Sequence, residues 1–405
     1  MDSRLHLPIG VLSCITLGLL ASAADAGVFV QCPGDTDGDG VIDVADPQHP
    51  RAVCKHLSAG DGFVKMADGR LQYIFGFSDV TGTPPNQVMS TGTLAANFPA
   101  PTIALREGDE FYLTLTNVGM AMRPDLFDPH SVHFHGFPNA APIFDGMPEG
   151  SVAINMGSSI SYYYNIVEPG TYMYHCHVEA AEHMQMGMLG NLYVHPRQDG
   201  TPIVYQGETY TKFVYNDGDG STGYDVEYPI QMGSFDPAFH DASMNVQPLP
   251  FANMKDKYAM LNGRGYPDTV VPGALVPPAE NNGVPSQPVN SLITANAGQK
   301  ILLRLSNLNV TNFYTLTALG LPMRVVGSGA HILRGPDPDG DGPAVGKDLY
   351  YDTTSVTLGG GEAAEVIIDT AGVAAGTYYL YTTNLNYLSN NQQDFGGMMT
   401  EIRIL

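Results

Sequence analysis

Residues 170–188, with the sequence GTYMYHCHVEAAEHMQMGM, place a single cysteine between two histidines at the end of an alternating segment. Alternation with a period of two predicts a β-strand, whose successive side chains point to opposite faces of its sheet. His175 and His177 are therefore expected on one face of this strand and Cys176 on the other. Such a strand can contribute to two sites at once, one on each face of the sheet.

A second segment with closely spaced histidines, HSVHFHG, begins at residue 130. By the same alternation His133 and His135 share a face, whereas His130 lies upstream and can turn the opposite way. If the two strands are neighbours, four imidazoles converge on one face of the sheet. The four histidines of this face, which we predict to bind a metal, are His133, His135, His175 and His177.

On the opposite face, the cysteine can meet the upstream histidine and two residues from the loop that follows its own strand. Two histidines, one cysteine and a weakly bound methionine are the ligands of a blue-copper electron-transfer centre. Zinc also binds histidine, but a thioether in the set favours copper. The predicted copper ligands are His130, Cys176, His183 and Met188.

The chain has 405 residues, enough for two domains, and its second half repeats features of the first. Segment 101–119 resembles segment 291–309, and GTYMYHCH resembles the later GTYYLYTT. Short alternating segments, 46 glycines, 30 prolines and the absence of long helical periodicity predict an all-β protein. The expected organisation is two tandem β-sandwich domains, at residues 69–197 and 198–405, after a short N-terminal segment.

The first 26 residues contain one arginine, an apolar run too short to span a bilayer and an A-x-A motif. These are the features of an export signal peptide, with cleavage expected before Gly27. The mature protein is therefore expected to be exported, to the periplasm or the extracellular space, where disulfides persist. Cys32 and Cys54 lie close together in the N-terminal segment 27–68 and are expected to pair. Cys176 is then an odd thiol, which metal binding explains.

Between the two paired cysteines runs DTDGDGVIDVAD, which has the spacing of a calcium-binding loop. Oxygen donors recur at the positions that such loops use, and Gly40 stands where the chain turns sharply. The twelfth position is aspartate, and the flanks lack a helical pattern, so we expect a structural calcium site and not a sensor. A weaker match, DPDGDGPAVGKD, occupies residues 337–348. The expected calcium ligands are Asp35, Asp37, Asp39, Val41, Asp43 and Asp46.

The charge of the chain narrows the range of partners. A formal net charge of −23 excludes nucleic acid and anionic membrane surfaces, because both require a basic face. Most of the 41 acidic residues are expected to serve solubility. Beyond the leader, no stretch of sequence is long and apolar enough to make an integral membrane protein.

The first half contains the stretches FPAPTIALREGDEFYLTLTN, HSVHFHG, FDGMPEG and GTYMYHCHVEAAEHMQMGMLGNLYV. Together they resemble the first domain of multicopper oxidases, the superfamily that includes laccases and copper nitrite reductases. The resemblance extends over residues 69–405 and implies cupredoxin-like Greek-key sandwiches. It implies type 1 copper at the cysteine-containing site and half of a type 2/type 3 cluster at the four histidines. It also implies that Asp145, in FDG, helps to deliver protons in catalysis.

The second half departs from the family pattern, in which another domain supplies four further histidines to a trinuclear cluster. By the internal repeat, Tyr381-Thr382-Thr383 stands where the first half has His175-Cys176-His177, and threonines replace the other histidine pair. His240 and His331 are the remaining histidines of this half. Either is a candidate ligand for a neighbouring subunit, with a structural histidine as the alternative.

These features predict an exported copper-dependent oxidoreductase. Type 1 copper would accept electrons from an external reductant, which could be a small molecule, a metal ion or a redox protein. A histidine-bound second copper would then reduce oxygen or a nitrogen oxide. Two alternatives stay open: an electron-transfer protein without catalysis, and a copper-binding or storage protein. Resemblance to two-domain relatives suggests a homotrimer.

Overall fold

The computed structural model describes residues 32–138, 140–335 and 346–405. Within these ranges the protein consists of two β-sandwiches with a small two-stranded hairpin between them, which confirms the predicted all-β fold. The expected leader, residues 1–26, and most of the second calcium-like segment lie outside the described residues. None of the helices in these ranges is long and apolar enough to cross a bilayer.

The first sandwich contains eight strands and two short helices among the described residues. The strands are β1 (Ala52–Lys65), β2 (Leu71–Asp79), β3 (Ala100–Arg106), β4 (Glu110–Gly119), β5 (His133–His135), β6 (Ser159–Asn165), β7 (Gly170–His175) and β8 (Leu189–His195). The helices are α1 (Val88–Gly92) and α2 (Ala180–Met186). One sheet has the strand order β2-β1-β4-β6 and the other has the order β3-β8-β7-β5.

Strand β1 lies inside the first sheet, between β2 and β4, although its sequence AVCKHLSAGDGFVK hardly alternates. Its polar side chains are buried because neighbouring strands supply hydrogen-bond partners. His56 Nε2 lies 2.7 Å from Thr116 Oγ1, and the Tyr73 hydroxyl donates to Asp61 at 2.9 Å. The expected start of the first domain, residue 69, therefore falls between two paired strands of one sheet.

The second sandwich follows the hairpin of β9 (Ile203–Tyr205) and β10 (Glu208–Tyr210). Its elements are β11 (Val226–Phe235), α3 (Pro237–Met244), β12 (Tyr258–Leu261), β13 (Ile293–Ala295), β14 (Lys300–Asn307), β15 (Tyr314–Ala318), β16 (Met323–Ser328), β17 (His331–Ile332), β18 (Tyr351–Thr353), β19 (Ser355–Leu358), β20 (Glu362–Asp369), β21 (Gly376–Thr382) and β22 (Met399–Ile404). Single 3₁₀ turns occur at Pro142–Phe144, Phe251–Asn253, Asp268–Val270, Ala279–Asn281 and Leu385–Tyr387.

The strand pairing confirms the internal repeat. β1 runs parallel to β4 as β11 runs parallel to β14, and β3 runs parallel to β8 as β13 runs parallel to β22. In the first sandwich His133 lies opposite His175, and at the corresponding place in the second sandwich Thr317 lies opposite Tyr381. The second sandwich thus keeps the strand framework of the first without its paired histidines.

The two sandwiches share a buried apolar interface. Phe98 of the first sandwich packs against Phe235 of the second, with ring centroids 4.3 Å apart. Arg304, on β14, is also buried here, and its guanidinium lies 4.9 Å from the ring centre of Tyr193 on β8. This interface holds loops of the second sandwich against the sheet that carries the histidines.

Candidate metal centres

The first candidate centre is a buried thiol flanked by two imidazoles, which we call the thiol cluster; it consists of His130, Cys176, His183 and Met188. The Sγ atom of Cys176 lies 3.2 Å from Nδ1 of His183 and 3.7 Å from Nδ1 of His130. All four side chains are fully buried. A free cysteine facing two ring nitrogens in the protein interior is a donor set that suits a soft metal ion.

Three separate elements build this cluster. His130 precedes β5, Cys176 directly follows β7, and His183 lies on α2. Met188 begins the return to the sheet: its backbone N–H donates to the carbonyl of His183 at 2.8 Å, and its own carbonyl accepts from the Cys176 N–H at 3.1 Å. Gly187 permits this turn with a φ of +119°, a region that residues with a Cβ rarely adopt.

Burial keeps the upstream imidazole of the thiol cluster neutral, since desolvation lowers the pKa of His130 well below its ordinary value. A neutral imidazole has a free lone pair for a metal. On the other side of the cluster, Nε2 of His183 lies 3.8 Å from a carboxylate oxygen of Asp128. The Nδ1 atoms of both histidines therefore remain directed at the thiol.

The second candidate centre is the four-histidine face, formed by His133, His135, His175 and His177. Nitrogen atoms of the first three lie within 4.8 Å of one another. The Nε2 atoms of His135 and His175 are 2.9 Å apart. The fourth ring, that of His177, is centred 4.9 Å from that of His133. The structure thus brings all four predicted histidines together, three of them with closely converging nitrogens.

Hydrogen bonds orient the rings of the four-histidine face. His133 Nδ1 donates to the backbone carbonyl of Asp145 at 2.6 Å, and His175 Nδ1 donates to the carbonyl of Cys176 at 2.7 Å. With Nδ1 protonated in each ring, Nε2 carries the lone pair. Burial also lowers the pKa of His175 to about 3 and lowers that of His135. The rings of His135 and His175 are therefore neutral, which is the state in which imidazole binds a metal.

The two candidate centres are joined through one short piece of backbone. Cys176 belongs to the thiol cluster, while its neighbours His175 and His177 belong to the four-histidine face. The hydrogen bond from His175 Nδ1 to the Cys176 carbonyl adds a second connection between them. Covalent bonds and one hydrogen bond therefore connect the thiol with a ring of the other centre.

Loops of the second sandwich cover the four-histidine face and enclose a cavity of about 500 Å³, which we call the histidine cavity. These loops could not be predicted to lie at the site, because their segment SNLNVTNF has no metal-binding motif. Gly361 approaches closely enough that a Cβ there would lie 3.0 Å from the ring of His135. The cavity is lined by His135, His175, His177, Ala180, Ala181, Met184, Asn309, Val310, Thr311, Asn312, Phe313, Gly360 and Gly361.

The two histidines of the second sandwich lie away from this cavity. His240 is fully buried on α3, and its Nδ1 donates to the carbonyl of Tyr73 at 2.5 Å. A ring in that position cannot reach a neighbouring subunit. His331 is exposed and lies 3.7 Å from Glu168. Asp145, the expected proton-delivering acid, has a carboxylate oxygen 3.6 Å from His133 Nδ1 and does not line the cavity.

The calcium-like loop has a compact arrangement at its first three aspartates. Carboxylate oxygens of Asp35, Asp37 and Asp39 lie within 4.8 Å of one another. The carboxylate of Asp43 instead accepts from the backbone and hydroxyl of Thr36, and Asp46 accepts from the N–H of Gln48. Val41 donates its N–H to Asp39 at 2.8 Å. A disulfide joins Cys32 to Cys54 beside the loop.

The sequence of the first sandwich is similar to that of known copper proteins. Residues 78–199 match the family model described as multicopper oxidase. A multicopper oxidase of Mycobacterium tuberculosis is 34% identical over 91 residues, which are 22% of this chain and 16% of that protein. A copper-containing nitrite reductase of Neisseria meningitidis is 29% identical over 127 residues, 30% of each chain. The matches thus span less than a third of either curated relative.

A solved structure extends the similarity of the fold over both sandwiches. A blue copper oxidase from Nitrosomonas europaea aligns with 86% of this chain and 85% of its own, with a TM-score of 0.60 and 21% sequence identity. At this level of identity the alignment demonstrates a shared fold. The second sandwich therefore belongs to the common architecture although it lies outside the family-model match.

Proposed function

We propose that this chain, whose residues 78–199 match the multicopper oxidase family model, is a copper-dependent oxidoreductase with two linked metal centres. It takes electrons from an external reductant at the thiol cluster and uses them at the four-histidine face to reduce oxygen or a nitrogen oxide. The observation that carries this proposal is one cysteine in the thiol cluster whose two chain neighbours are histidines of the other centre.

The thiol cluster is proposed to hold type 1 copper. A buried cysteine with two imidazoles and a methionine beside it matches the softness of that ion. Phe75 packs edge-on against His183, with ring centroids 5.7 Å apart, and keeps this ring in place. A rigid, dry ligand set limits the rearrangement that accompanies a change of oxidation state. Bound copper would supply one-electron transfer at both centres.

The four-histidine face is proposed to hold the second copper. Nitrogen atoms of His133, His135 and His175 converge, and the rings of His135 and His175 line the histidine cavity beside space for a small substrate. Hydrogen bonds at Nδ1 hold His133 and His175 with Nε2 free, which is the role that outer hydrogen-bond partners play around metal ligands. Asp145, close to His133, is proposed to deliver protons.

The first test is to measure copper per chain and the electron paramagnetic resonance spectrum on the fully loaded protein. We expect two or more coppers, a narrow-hyperfine signal from the thiolate site, and turnover of oxygen or nitrite with an added reductant. One copper with only the narrow signal would contradict catalysis and leave an electron carrier. Bound copper that is not reversibly reduced would leave a binding or storage protein.

We propose a structural calcium ion at the loop that begins at Asp35. Support comes from the three converging carboxylates and from the neighbouring disulfide, both of which organise the N-terminal segment. Ligands that bind only the folded state stabilise it in proportion to the logarithm of their concentration. Millimolar calcium should therefore raise Tm relative to a chelator, and Asp37→Asn should remove the difference. An equal Tm in both conditions would contradict the site.

We also propose export and assembly into a homotrimer. The disulfide between Cys32 and Cys54 supports export, because such bonds persist in oxidising compartments. Fractionation of cells and the N-terminal sequence of the mature chain test the location. Light scattering tests the assembly, for which a mass of one chain would be the contradicting result.

A further inference from the structure

Asp256, in the second sandwich just before β12, connects the walls of the two centres. One carboxylate oxygen accepts from the side-chain amide of Gln185 on α2 at 3.0 Å. The other accepts from the Thr311 hydroxyl at 2.7 Å and the Asn312 amide at 3.0 Å. The Ser234 hydroxyl also lies 2.6 Å from that second oxygen. Asp256 is therefore held from both sandwiches at once.

The hydrogen-bond partners of Asp256 belong to structural elements of both centres. Thr311 and Asn312 are part of the lining of the histidine cavity. Gln185 lies two residues beyond His183, in the helix that completes the thiol cluster. Asp256 itself is not a metal ligand and does not line the cavity, so the mechanism above assigns it no role.

We propose that Asp256 is a proton-relay residue of the histidine cavity, additional to Asp145, and acts through the hydroxyl of Thr311. This inference rests on the proposed function, because reduction of oxygen or a nitrogen oxide consumes protons together with electrons. The protonated carboxyl gives its proton to Thr311 Oγ1, and Thr311 passes its own hydroxyl proton to the substrate oxygen. The carboxylate is then reprotonated from solvent, and the electrons come from the external reductant.

The surroundings of Asp256 favour its protonated form more than those of an exposed aspartate do. Burial raises the pKa of this carboxyl, and the nearby negative charge of Asp236 raises it further, while the hydrogen bonds from Ser234, Thr311 and Asn312 act in the opposite direction. The phenols of Tyr314 and Tyr387, both with a raised pKa, also lie near it, and Lys255 and Lys257 flank it in the chain. No cation is among the groups that shift its pKa.

The test compares two conservative pairs of variants. Asp256→Asn keeps the shape but cannot carry the proton, and Gln185 can rotate its amide to suit the new partner. Thr311→Val removes the hydroxyl. Each should lower kcat about tenfold or more and change its pH profile, with the KM for the reductant unchanged. Asp256→Glu and Thr311→Ser should restore most of the activity.

Asp61→Asn is the matched control, since Asp61 is another buried carboxylate with a raised pKa and several hydrogen bonds, remote from the cavity lining. It should leave the pH profile unchanged. A second readout does not require turnover: infrared spectra of the copper-free protein should show a protonated carboxyl band that Asp256→Asn removes.

Each outcome decides between the two proposals. An unchanged kcat and pH profile in Asp256→Asn, with an active parent, would overturn the relay alone. Equal loss of activity in Asp256→Asn and Asp256→Glu, with reduced copper content, would indicate a structural role and also overturn it. Absence of turnover in the parent protein would overturn the proposed oxidoreductase, and the relay with it.

Discussion

At the scale of single residues, burial and hydrogen bonds set the state of several side chains in the two centres. Buried imidazoles stay neutral because the interior disfavours their charged form, as in His175, whose pKa falls to about 3. Cys176 faces the neutral ring of His130 and the ring of His183, whose pKa rises to about 10 because Cys176 and Asp128 outweigh the effect of burial. The histidines on either side of Cys176 belong to the opposite face. Substitutions at these positions should therefore affect the two centres separately.

Cys176→Ser should remove the copper of the thiol cluster and leave copper at the four-histidine face. A hydroxyl cannot replace a thiolate as a soft ligand, whereas His175 and His177 keep their positions. The expected result is loss of about one copper per chain and of the narrow-hyperfine signal. His331→Ala, at an exposed histidine beside Glu168, is the control and should lose neither. Loss of all copper from Cys176→Ser would contradict two separable centres.

His240→Gln should reduce the loss of folding stability that occurs as the pH falls. Burial lowers the pKa of His240 to about 4, against an ordinary value of 6.5. As pH falls through this interval the unfolded chain binds a proton that the folded chain does not, so stability is lost. The parent should lose about 3 kcal/mol more than the variant between pH 6.5 and 4. Denaturant unfolding at several pH values measures the free energy of unfolding of both proteins. The same pH dependence in parent and variant would contradict the prediction.

At the scale of elements, the return from β7 to β8 and the loops of the second sandwich assemble the sites. α2 brings His183 back over Cys176, and Gly187 returns the chain to the sheet. Opposite, Gly361 lies at the start of β20 with a φ of +89°, against the ring of His135. The absence of a side chain there gives this histidine its space.

Gly361→Ala should weaken copper binding at the four-histidine face. The new Cβ would lie 3.0 Å from the ring of His135 and would also be strained by the positive φ. Gly372→Ala is matched in strain, with a φ of +75°, but nothing lies within 4 Å of its Cβ. Both should lose about 1–2 kcal/mol of stability, and only the first should lose second-site copper. Equal copper content in the two variants would refute this role.

At the scale of the whole molecule, the interface between the sandwiches holds the loops of the second sandwich over the histidine cavity. Arg304 is fully buried there and donates to Glu227 at 2.7 Å, while its guanidinium also faces Tyr193. Glu365, on β20, accepts from the backbone N–H of Thr171 on β7 at 2.7 Å. Charged groups therefore tie the second sandwich to the strand that leads to Cys176.

Arg304→Leu should destabilise the protein by about 3–5 kcal/mol, because it leaves the carboxylates around it without their buried partner. Arg403→Leu, which breaks a partly exposed pair with Glu401, is the control and should cost at most about 1 kcal/mol. Thermal unfolding of both variants measures the difference. Similar Tm values for the two would show that the buried guanidinium does not hold the sandwiches together.

Local rules were sufficient to predict the sheet that carries the histidines and the residue types of the two centres. Alternation along β5 and β7 was enough to place His133, His135 and His175 on one face and Cys176 on the other, and the structure has this arrangement. The repeat likewise predicted two similar sandwiches. Strand β1 was not predicted, since its sequence hardly alternates and its polar side chains are buried only because neighbouring strands bind them.

The residues that lie opposite the four-histidine face are brought there by tertiary packing. Asn309, Thr311 and Gly361 are far from the histidines in sequence, and no motif marks them, yet packing of the two sandwiches places them around one cavity. Asp256 reaches this wall through hydrogen bonds to residues both before and after it in the chain. Such contacts depend on the docking of two separate sheets, and period and spacing along one strand carry no information about that docking.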